Sequence, residues 1–231
     1  MFSVNEIFKS IDGEGIRTGK PCIFVRFNGC NLRCNYCDTG YALKFGKSNY
    51  TLEELMTEVD KFNCKRITLT GGEPLIQPNI DQFIKCLYDD GYEINIETNG
   101  SVDVYNFHRE LRKIINMRPS NPILYTVDYK CVGSGEASLY MCDENFSGKY
   151  LIGAEFCYKF VVSSKEDLTE ARYIINKTNL LDNGECFLSP CFGRIEPKEI
   201  VEFILRHKDM NDATVQVQLH KIIWNPNERG V

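Results

Sequence analysis

Three cysteines lie close together in the segment GCNLRCNYCDTG, residues 29–40. Cys30, Cys34 and Cys37 have the spacing C-x3-C-x2-C, and no fourth cysteine follows closely. Thiolates are soft ligands that suit zinc or iron–sulfur clusters, and each of three thiolates can bind one iron of a 4Fe–4S cube. The fourth iron then keeps an open position for a small molecule, as catalytic metals do. The alternative is a structural zinc loop with a distant fourth ligand, although zinc loops more often contain paired C-x2-C.

A second segment with chemical potential is TGGEP, residues 70–74. Gly71 and Gly72 allow the backbone to approach a ligand closely, and their carbonyls can accept hydrogen bonds from a cationic amine. A Gly-Gly pair is often only a turn. Its position directly after a predicted strand favours a binding role.

Apolar, β-branched runs alternate with amphipathic helical patterns along the chain. The predicted strands are 22–27, 66–70, 93–98, 123–128, 158–162, 186–189 and 215–220. The predicted helices are 51–62, 79–91, 163–178 and 196–208. Such alternation predicts parallel βαβ units in an α/β protein. Because seven strands fall short of eight, we predict an incomplete (β/α) TIM-like barrel in one domain, 1–231; an open doubly wound sheet is the alternative.

Four unusual segments each follow a predicted strand. They are the cysteine loop, TGGEP, ETNG (97–100) and the segment that begins DYK at 128–130. In either architecture, ligands bind at the carboxyl ends of the strands. We therefore expect these segments to meet at one rim.

Composition narrows the classes of function. The chain has 231 residues and a net charge of −5 with mixed signs, which disfavours a nucleic-acid partner. No segment is as long and apolar as a membrane span, and the N-terminus lacks the pattern of a secretory signal, so we expect a cytoplasmic protein without a membrane partner. In that compartment the 11 cysteines are expected to be metal ligands or free thiols. A second metal site is an open alternative for Cys131, Cys142, Cys157, Cys186 or Cys191.

The cysteine motif, with Tyr36 just before its last cysteine, resembles that of the radical S-adenosylmethionine superfamily. The resemblance implies a 4Fe–4S cluster and S-adenosylmethionine as cofactors. In that superfamily the methionyl amine and carboxylate chelate the open iron, and an electron from the cluster cleaves the sulfonium to a 5'-deoxyadenosyl radical. It also implies the incomplete barrel of the radical SAM type.

Within this superfamily, the chain resembles the family of 7-carboxy-7-deazaguanine synthases nearly from end to end. The likeness runs through NEIFKSIDGEG, GKPCIFVRFNGCNLRCNYCDT, TLTGGEPLIQ, IETNGS, DYK and VQVQLHKIIWNPNERGV. It implies ring contraction of 6-carboxy-5,6,7,8-tetrahydropterin to 7-carboxy-7-deazaguanine with loss of ammonia, a Mg²⁺ ion, a homodimer, and flavodoxin or ferredoxin as electron donor.

The resemblance also assigns roles to individual residues. Cys30, Cys34 and Cys37 would hold the cluster, and Thr39 would contact magnesium. Cofactor contacts would be Tyr36, Asp38, Gly71, Gly72, Asp128, Tyr129 and Lys130. Substrate contacts would be Ile11, Asp12, Gly13, Arg26, Thr70, Glu97, His220 and Val231.

The residue types support some of these roles independently. Arg26 interrupts an apolar strand, where a charge is costly without a partner, and its planar fork suits a carboxylate. Glu97 ends a predicted strand and is the candidate for the pterin amine. His220, in the last predicted strand, is equally a rim group or a core histidine.

Two departures from the family pattern put details in doubt. Asp12 stands where the family usually has glutamine, and DYKCVGSGE differs from the usual form of that segment. Two other functions also share the cysteine motif or its thiols. They are a glycyl-radical activating enzyme, which acts on a protein backbone, and an iron–sulfur electron carrier or sensor.

Overall fold

A computed structural model describes residues 1–136, 141–147 and 151–231. Its centre is one sheet of eight strands in the order in which they occur along the chain. The strands are β1 (Val4–Ile11), β2 (Pro21–Phe27), β3 (Arg66–Gly71), β4 (Glu93–Thr98), β5 (Ile123–Tyr129), β6 (Ala154–Val162), β7 (Glu185–Pro190) and β8 (Thr214–Val215). β1 is antiparallel to β2, and all later pairs are parallel. A doubly wound sheet requires a reversal of strand order, so the incomplete barrel is confirmed.

Six helices accompany the sheet in the described ranges. They are α1 (Leu52–Asp60), α2 (Ile80–Asp89), α3 (Val104–Ile114), α4 (Lys165–Thr178), α5 (Pro197–Arg206) and α6 (Leu219–Ile223). The four predicted helices correspond to α1, α2, α4 and α5. At the start of α1, Thr51 and Glu54 form the capping box that their spacing predicts. Helix α3 was not predicted from the sequence, although Asp103 caps its first turn.

The two edges of the sheet differ from the sequence prediction. The segment that contains NEIFKSI forms strand β1, which was not predicted. The predicted strand 215–220 was wrong, because only Thr214 and Val215 pair with β7, at Phe187 and Leu188. Beyond them the side chains of Gln216 and Gln218 bond to the β1–β2 loop, and a helix begins at Leu219.

The strand register arranges inward-facing polar residues in layers. Arg26 of β2 pairs with Thr70 of β3, and Asp128 of β5 pairs with Lys159 of β6. Because successive strand residues face opposite sides, residues two apart on these strands also face inward. The barrel interior is therefore polar near the carboxyl ends of its strands, while the opposite face packs apolar residues against the helices.

The β1–β2 loop closes the other end of the barrel. Within it, Arg17 donates to the backbone oxygens of Glu93 and Ile67, at 3.0 Å each, near the starts of two strands. Its Nε also donates to the carboxylate of Asp12 at 3.1 Å. Both side chains are buried, so this ion pair fixes the loop as a plug in the barrel.

No helix in the described residues combines the length and the apolar character needed to cross a membrane. The core instead unites the outward-facing residues of the strands with the inner faces of the helices. The largest fully buried side chains include Tyr125, Tyr158 and Phe160, which belong to neighbouring strands.

His108 of α3 should make the fold sensitive to acid. Its ring is fully buried, with Nδ1 at 3.0 Å from the Tyr125 hydroxyl and Nε2 at 3.1 Å from the Ile152 oxygen. Burial lowers the pKa of His108 below its ordinary 6.5, so the unfolded chain binds a proton that the folded chain resists. Stability from this group is present above pH 6.5 and is lost as the pH falls, by at most about 1.4 kcal/mol per pH unit. The free energy of unfolding, measured with urea between pH 7.5 and pH 5, should decline less steeply for His108→Asn than for the wild type. Equal slopes for the two proteins would contradict this assignment.

Candidate active site

A cavity of about 710 Å³ opens at the carboxyl ends of the parallel strands. It is lined by the cysteine loop, the glycine pair, the ends of β4 and β5, and the C-terminal segment. The predicted residues on its wall are Ile11, Gly13, Arg26, Cys30, Cys34, Tyr36, Cys37, Asp38, Thr39, Thr70, Gly71, Gly72, Glu97, Asp128, Lys130, His220 and Val231. The expected convergence of four segments on one rim is therefore confirmed.

Backbone hydrogen bonds hold the cysteine loop over the cavity. The amides of Gly29 and Cys30 donate to Ala42 and Leu43 at 2.8 and 3.1 Å. On the outer side, the amide of Asn35 donates to Ser134 at 2.8 Å. The loop is thus fastened at both ends by segments that do not contribute thiols.

The three thiols suit a multi-iron cluster better than one ion. In the described residues, one set of three Asp, Glu, Cys or His side chains has its ligand atoms within 4.8 Å of one another. This set does not include the cysteines of the loop. At least one pair of sulfurs in the loop is therefore more than 4.8 Å apart, which is wider than the ligand spacing of that set. Burial raises the pKa of Cys34 to about 11, although Lys130 opposes this, and burial also raises the pKa of Cys37. Without metal these thiols are protonated at neutral pH, so loading of a cluster must release protons.

The set of closely spaced ligands is Cys131, Asp167 and Glu170, next to the start of α4. Both carboxylates already accept hydrogen bonds from the protein. Asp167 accepts from the amides of Gly133 and Ser163 at 2.7 Å each, and Glu170 accepts from an amide and a tyrosine hydroxyl. These bonds fasten the loop after β5 to the helix and explain the cluster without a second metal.

The glycine pair permits the close approach that the sequence suggests. At Gly72 an added Cβ would lie 1.9 Å from the Gly29 carbonyl oxygen. Gly71 has φ +126°, and its added Cβ would lie 2.3 Å from backbone atoms of Phe27. Only glycine fits either position, and the pair lies directly under the cysteine loop.

Glu73, which sequence reasoning missed, joins this segment to the end of β4. Its buried carboxylate accepts from the amides of Leu75 and Asn99 at 3.0 and 2.7 Å and from the Thr98 hydroxyl at 2.8 Å. Burial raises the pKa of Glu73 to about 7, against the effect of these donors. Asn99 in turn donates to Asn31 of the cysteine loop at 3.0 Å. The sequence feature that could have indicated Glu73 is its position as the one charged residue in the segment TGGEPLI.

Arg26 and Glu97 present opposite charges to the cavity. Arg26 Nε pairs with Glu6 at 2.6 Å, and the described residues offer no hydrogen bond to its two terminal amino groups. Glu97 accepts from the Thr70 hydroxyl at 2.8 Å and has no salt-bridge partner within 4.0 Å in the described chain. The cavity therefore offers a guanidinium fork and a carboxylate without a salt-bridge partner in the described chain.

A buried network of charges links two other segments. Lys159 Nζ lies 3.3 Å from Glu14 and 3.7 Å from Asp128, and Lys130 Nζ lies 2.7 Å from Asp128. Asp128 Oδ1 is buried and has no hydrogen-bond partner among the described residues. Glu14 and Lys159 were both missed, although a lysine within the apolar strand AEFCYKFVV was a visible signal.

The C-terminal segment completes the cavity. Lys221 of α6, also missed, pairs with Asp38 at 2.9 Å, and the Thr39 hydroxyl donates to the same carboxylate at 2.9 Å. Burial alone would raise the pKa of Asp38, but Lys221 and Thr39 hold it at about 2. His220 lies on α6 rather than on a strand, and its ring packs against Gly13, where an added Cβ would lie 2.4 Å from Nδ1.

Two predicted contact residues do not line the cavity. The Asp12 carboxylate faces Arg17 and Thr68 inside the barrel plug, and its amide donates to Lys20 at 2.9 Å. The Tyr129 side chain faces the helical layer, because Asp128 and Lys130 on either side of it face the cavity. Its hydroxyl donates to Glu170 at 3.2 Å.

The residues present fit the cofactors that the cysteine motif implies. Three thiols share the cavity wall with Asp128, whose buried Oδ1 has no hydrogen-bond partner in the described part of the chain and can accept from an ammonium or hydroxyl group. Thr39 offers one hydroxyl oxygen, so a magnesium ion held there would need further oxygen ligands from a bound substrate. The donor set thus suits a cluster with a polar cofactor beside it.

Comparison with known proteins identifies the family of the chain. Residues 24–128 match the model of the radical SAM superfamily. The chain is 42% identical to the 7-carboxy-7-deazaguanine synthase of Clostridium acetobutylicum, over 100% of this chain and 99% of the relative. It is 35% identical to that of Chlorobaculum tepidum, over 99% and 97% of the two chains. The crystal structure of QueE from Escherichia coli shares the fold, with a TM-score of 0.70, 19% identity, and coverage of 94% of this chain and 93% of that one.

Proposed function

Since this chain belongs to the 7-carboxy-7-deazaguanine synthase family of the radical SAM superfamily, we propose that it converts 6-carboxy-5,6,7,8-tetrahydropterin to 7-carboxy-7-deazaguanine with loss of ammonia. One observation carries the proposal: a single cavity combines three cysteine thiols with a guanidinium and a carboxylate without a salt-bridge partner in the described chain. The first set is the ligand set of a radical SAM cluster. The second set complements an acidic, amine-bearing heterocycle.

The cofactors are a 4Fe–4S cluster and S-adenosylmethionine. Cys30, Cys34 and Cys37 hold the cluster, which with S-adenosylmethionine supplies radical chemistry when bound. The chain's own residues bind the cofactor and exclude solvent. Cofactor contacts are assigned to Tyr36, Asp38, Gly71, Gly72, Asp128 and Lys130, and to the backbone of Tyr129.

The substrate is oriented by opposite charges. Arg26 binds the carboxylate through its terminal amino groups, and Glu97, held by Thr70, accepts from the pterin amine. The remaining wall of the substrate site consists of Ile11, Gly13, His220 and Val231. Asp12 acts indirectly, because its ion pair with Arg17 fixes the β1–β2 loop in the barrel. Thr39 contacts a Mg²⁺ ion whose other ligands include substrate oxygens.

The localisation, oligomeric state and electron donor are assigned by analogy with the same family. The protein is assigned as a cytoplasmic homodimer of single-domain chains, and flavodoxin or ferredoxin supplies electrons. The substrate itself is a small molecule, which requires neither a nucleic acid nor a membrane.

An anaerobic assay tests the reaction directly. Reconstituted protein is incubated with dithionite, S-adenosylmethionine, magnesium and the carboxytetrahydropterin, and products are identified by mass. We expect 7-carboxy-7-deazaguanine over many turnovers without stoichiometric loss of S-adenosylmethionine. Abortive 5'-deoxyadenosine alone would point to another substrate, such as a protein backbone. Failure to bind S-adenosylmethionine at all would favour an electron carrier.

Arg26→Met should weaken substrate binding strongly. Loss of two charged hydrogen bonds is expected to raise KM for the pterin by at least about 100-fold. Arg26→Lys keeps the charge but loses the planar fork, so its KM should lie between those of the wild type and Arg26→Met. The control is Arg66→Met, because Arg66 lies at the start of β3, away from the cavity, where its Nε pairs with Glu93 at 3.4 Å. Equal KM values for the two methionine variants, with equal iron content, would refute the role of Arg26.

A further inference from the structure

Lys159 is a lysine inside the wall of the barrel. It lies in the middle of β6, is 9% exposed and lines the cavity. Lysine is rarely buried, because its ammonium loses the hydration that stabilises the charge. Its presence here requires groups that use that charge.

Two carboxylates from different segments share this ammonium. Nζ lies 3.3 Å from Oε2 of Glu14 and 3.7 Å from Oδ2 of Asp128. Burial alone would lower the pKa of Lys159, but the two carboxylates raise it well above its ordinary value. Lys159 is therefore a cation throughout the neutral pH range.

The hydrogen-bonding capacity of the ammonium is not exhausted. It has three N–H donors, and the one hydrogen bond from it to the described residues goes to Glu14. Asp128, at 3.7 Å, lies beyond hydrogen-bonding distance. Lys159 thus keeps donors for a ligand in the cavity.

Glu14 complements these donors with a free acceptor. Lys159 and Gln218, the latter at 3.1 Å, both donate to its Oε2. Oε1 is buried and has no hydrogen-bond partner among the described residues. Burial would raise the pKa of Glu14, but Lys159, Gln218 and the nearby buried hydroxyl of Ser189 lower it, so the group stays an acceptor.

We propose that Lys159 and Glu14 bind the cyclic-amide edge of the substrate, with Lys159 donating to the ring carbonyl and Glu14 accepting from the adjacent N–H. This inference rests on the proposed function, in which Arg26 and Glu97 already bind the carboxylate and the amine. The cyclic amide is an edge of such a ring that offers a carbonyl acceptor directly beside an N–H donor. The adjacent Lys159 ammonium and Glu14 carboxylate complement this edge, because the ammonium donates where the ring accepts and the carboxylate accepts where the ring donates.

The test compares two unreactive probes, 6-carboxypterin and 6-carboxy-2,4-diaminopteridine, in which an amine replaces the ring carbonyl. Their dissociation constants are measured by anaerobic calorimetry with the cluster-loaded protein and S-adenosylmethionine. We expect wild type to prefer the carbonyl probe by at least about tenfold, because the amine would face an ammonium. Lys159→Met should reduce this preference below about threefold.

Lys130→Met is the matched control. It removes the other buried ammonium of the same network, which lies 2.7 Å from Asp128. It should weaken S-adenosylmethionine binding and keep the preference between probes. Iron content confirms that both variants fold.

Two results would overturn the inference while leaving the proposed function intact. One is equal binding of both probes by wild type, and the other is an undiminished preference in Lys159→Met. Failure of wild type to bind 6-carboxypterin would instead reject the proposed substrate, and this inference with it.

Discussion

Gly72→Ala is expected to abolish the activity of a protein that otherwise folds. The new Cβ would lie 1.9 Å from the carbonyl oxygen of Gly29 and 2.9 Å from the amide nitrogen of Cys30. Real Cβ contacts are not this short, so the cysteine loop must move away from the glycine pair. A displacement of about 1 Å can cost about 100-fold in rate, and we expect at least that loss of turnover.

The control for this variant is Gly40→Ala. Gly40 follows the cysteine loop closely, yet an added Cβ meets no atom within 4 Å. Iron content, S-adenosylmethionine binding and turnover should be measured for both variants. Turnover of Gly72→Ala within about threefold of Gly40→Ala would show that the close approach has no function.

Cys34→Ala is expected to remove the cluster and with it all turnover above the rate without enzyme. With two thiolates left, the loop cannot hold three irons of a cube. Bound iron and sulfide and the visible absorption of the anaerobic protein measure the loss directly. Since Cys34 is half-buried at the cavity, its truncation should affect folding stability far less than it affects iron binding.

The matched cysteine is Cys86 of α2, which is also half-buried and does not line the cavity. Cys86→Ala should keep full iron content and turnover. Equal iron loss in the two variants would mean that iron binds through thiols other than those of the loop.

The sequence predicted those parts of the structure that depend on local spacing. The cysteine loop, the glycine pair and the capping box at Thr51 could each be read within a few residues. The rim was also predictable, because the carboxyl ends of parallel strands meet at one edge of a barrel. The structure confirms this arrangement.

Contacts between distant segments were not predictable in this way. Strand β1 is antiparallel and, in the described sheet, pairs with β2 alone, so its run is partly polar and lacks the apolar pattern by which the other strands were predicted. The last predicted strand ends after Val215: the Gln216 amide still donates to Leu188 at 3.0 Å, but the Leu219 amide donates to Gly13 of the β1–β2 loop at 3.1 Å. The buried charges of Lys159 and Glu14 compensate each other across the fold, and nothing near either residue in the sequence indicates that partner.

Consecutive strand order also sets the sequence in which the molecule can assemble. Each strand pairs with the next one along the chain, so the sheet can grow by short-range steps. The bond between Gly15 and Gln216 instead spans 201 positions, and it must wait until nearly the whole chain is available. The cysteine ligands can therefore be in place before the C-terminal segment covers the cavity. Assembly in this order would leave the thiols open to incoming iron and sulfide until the C-terminal segment docks on the β1–β2 loop.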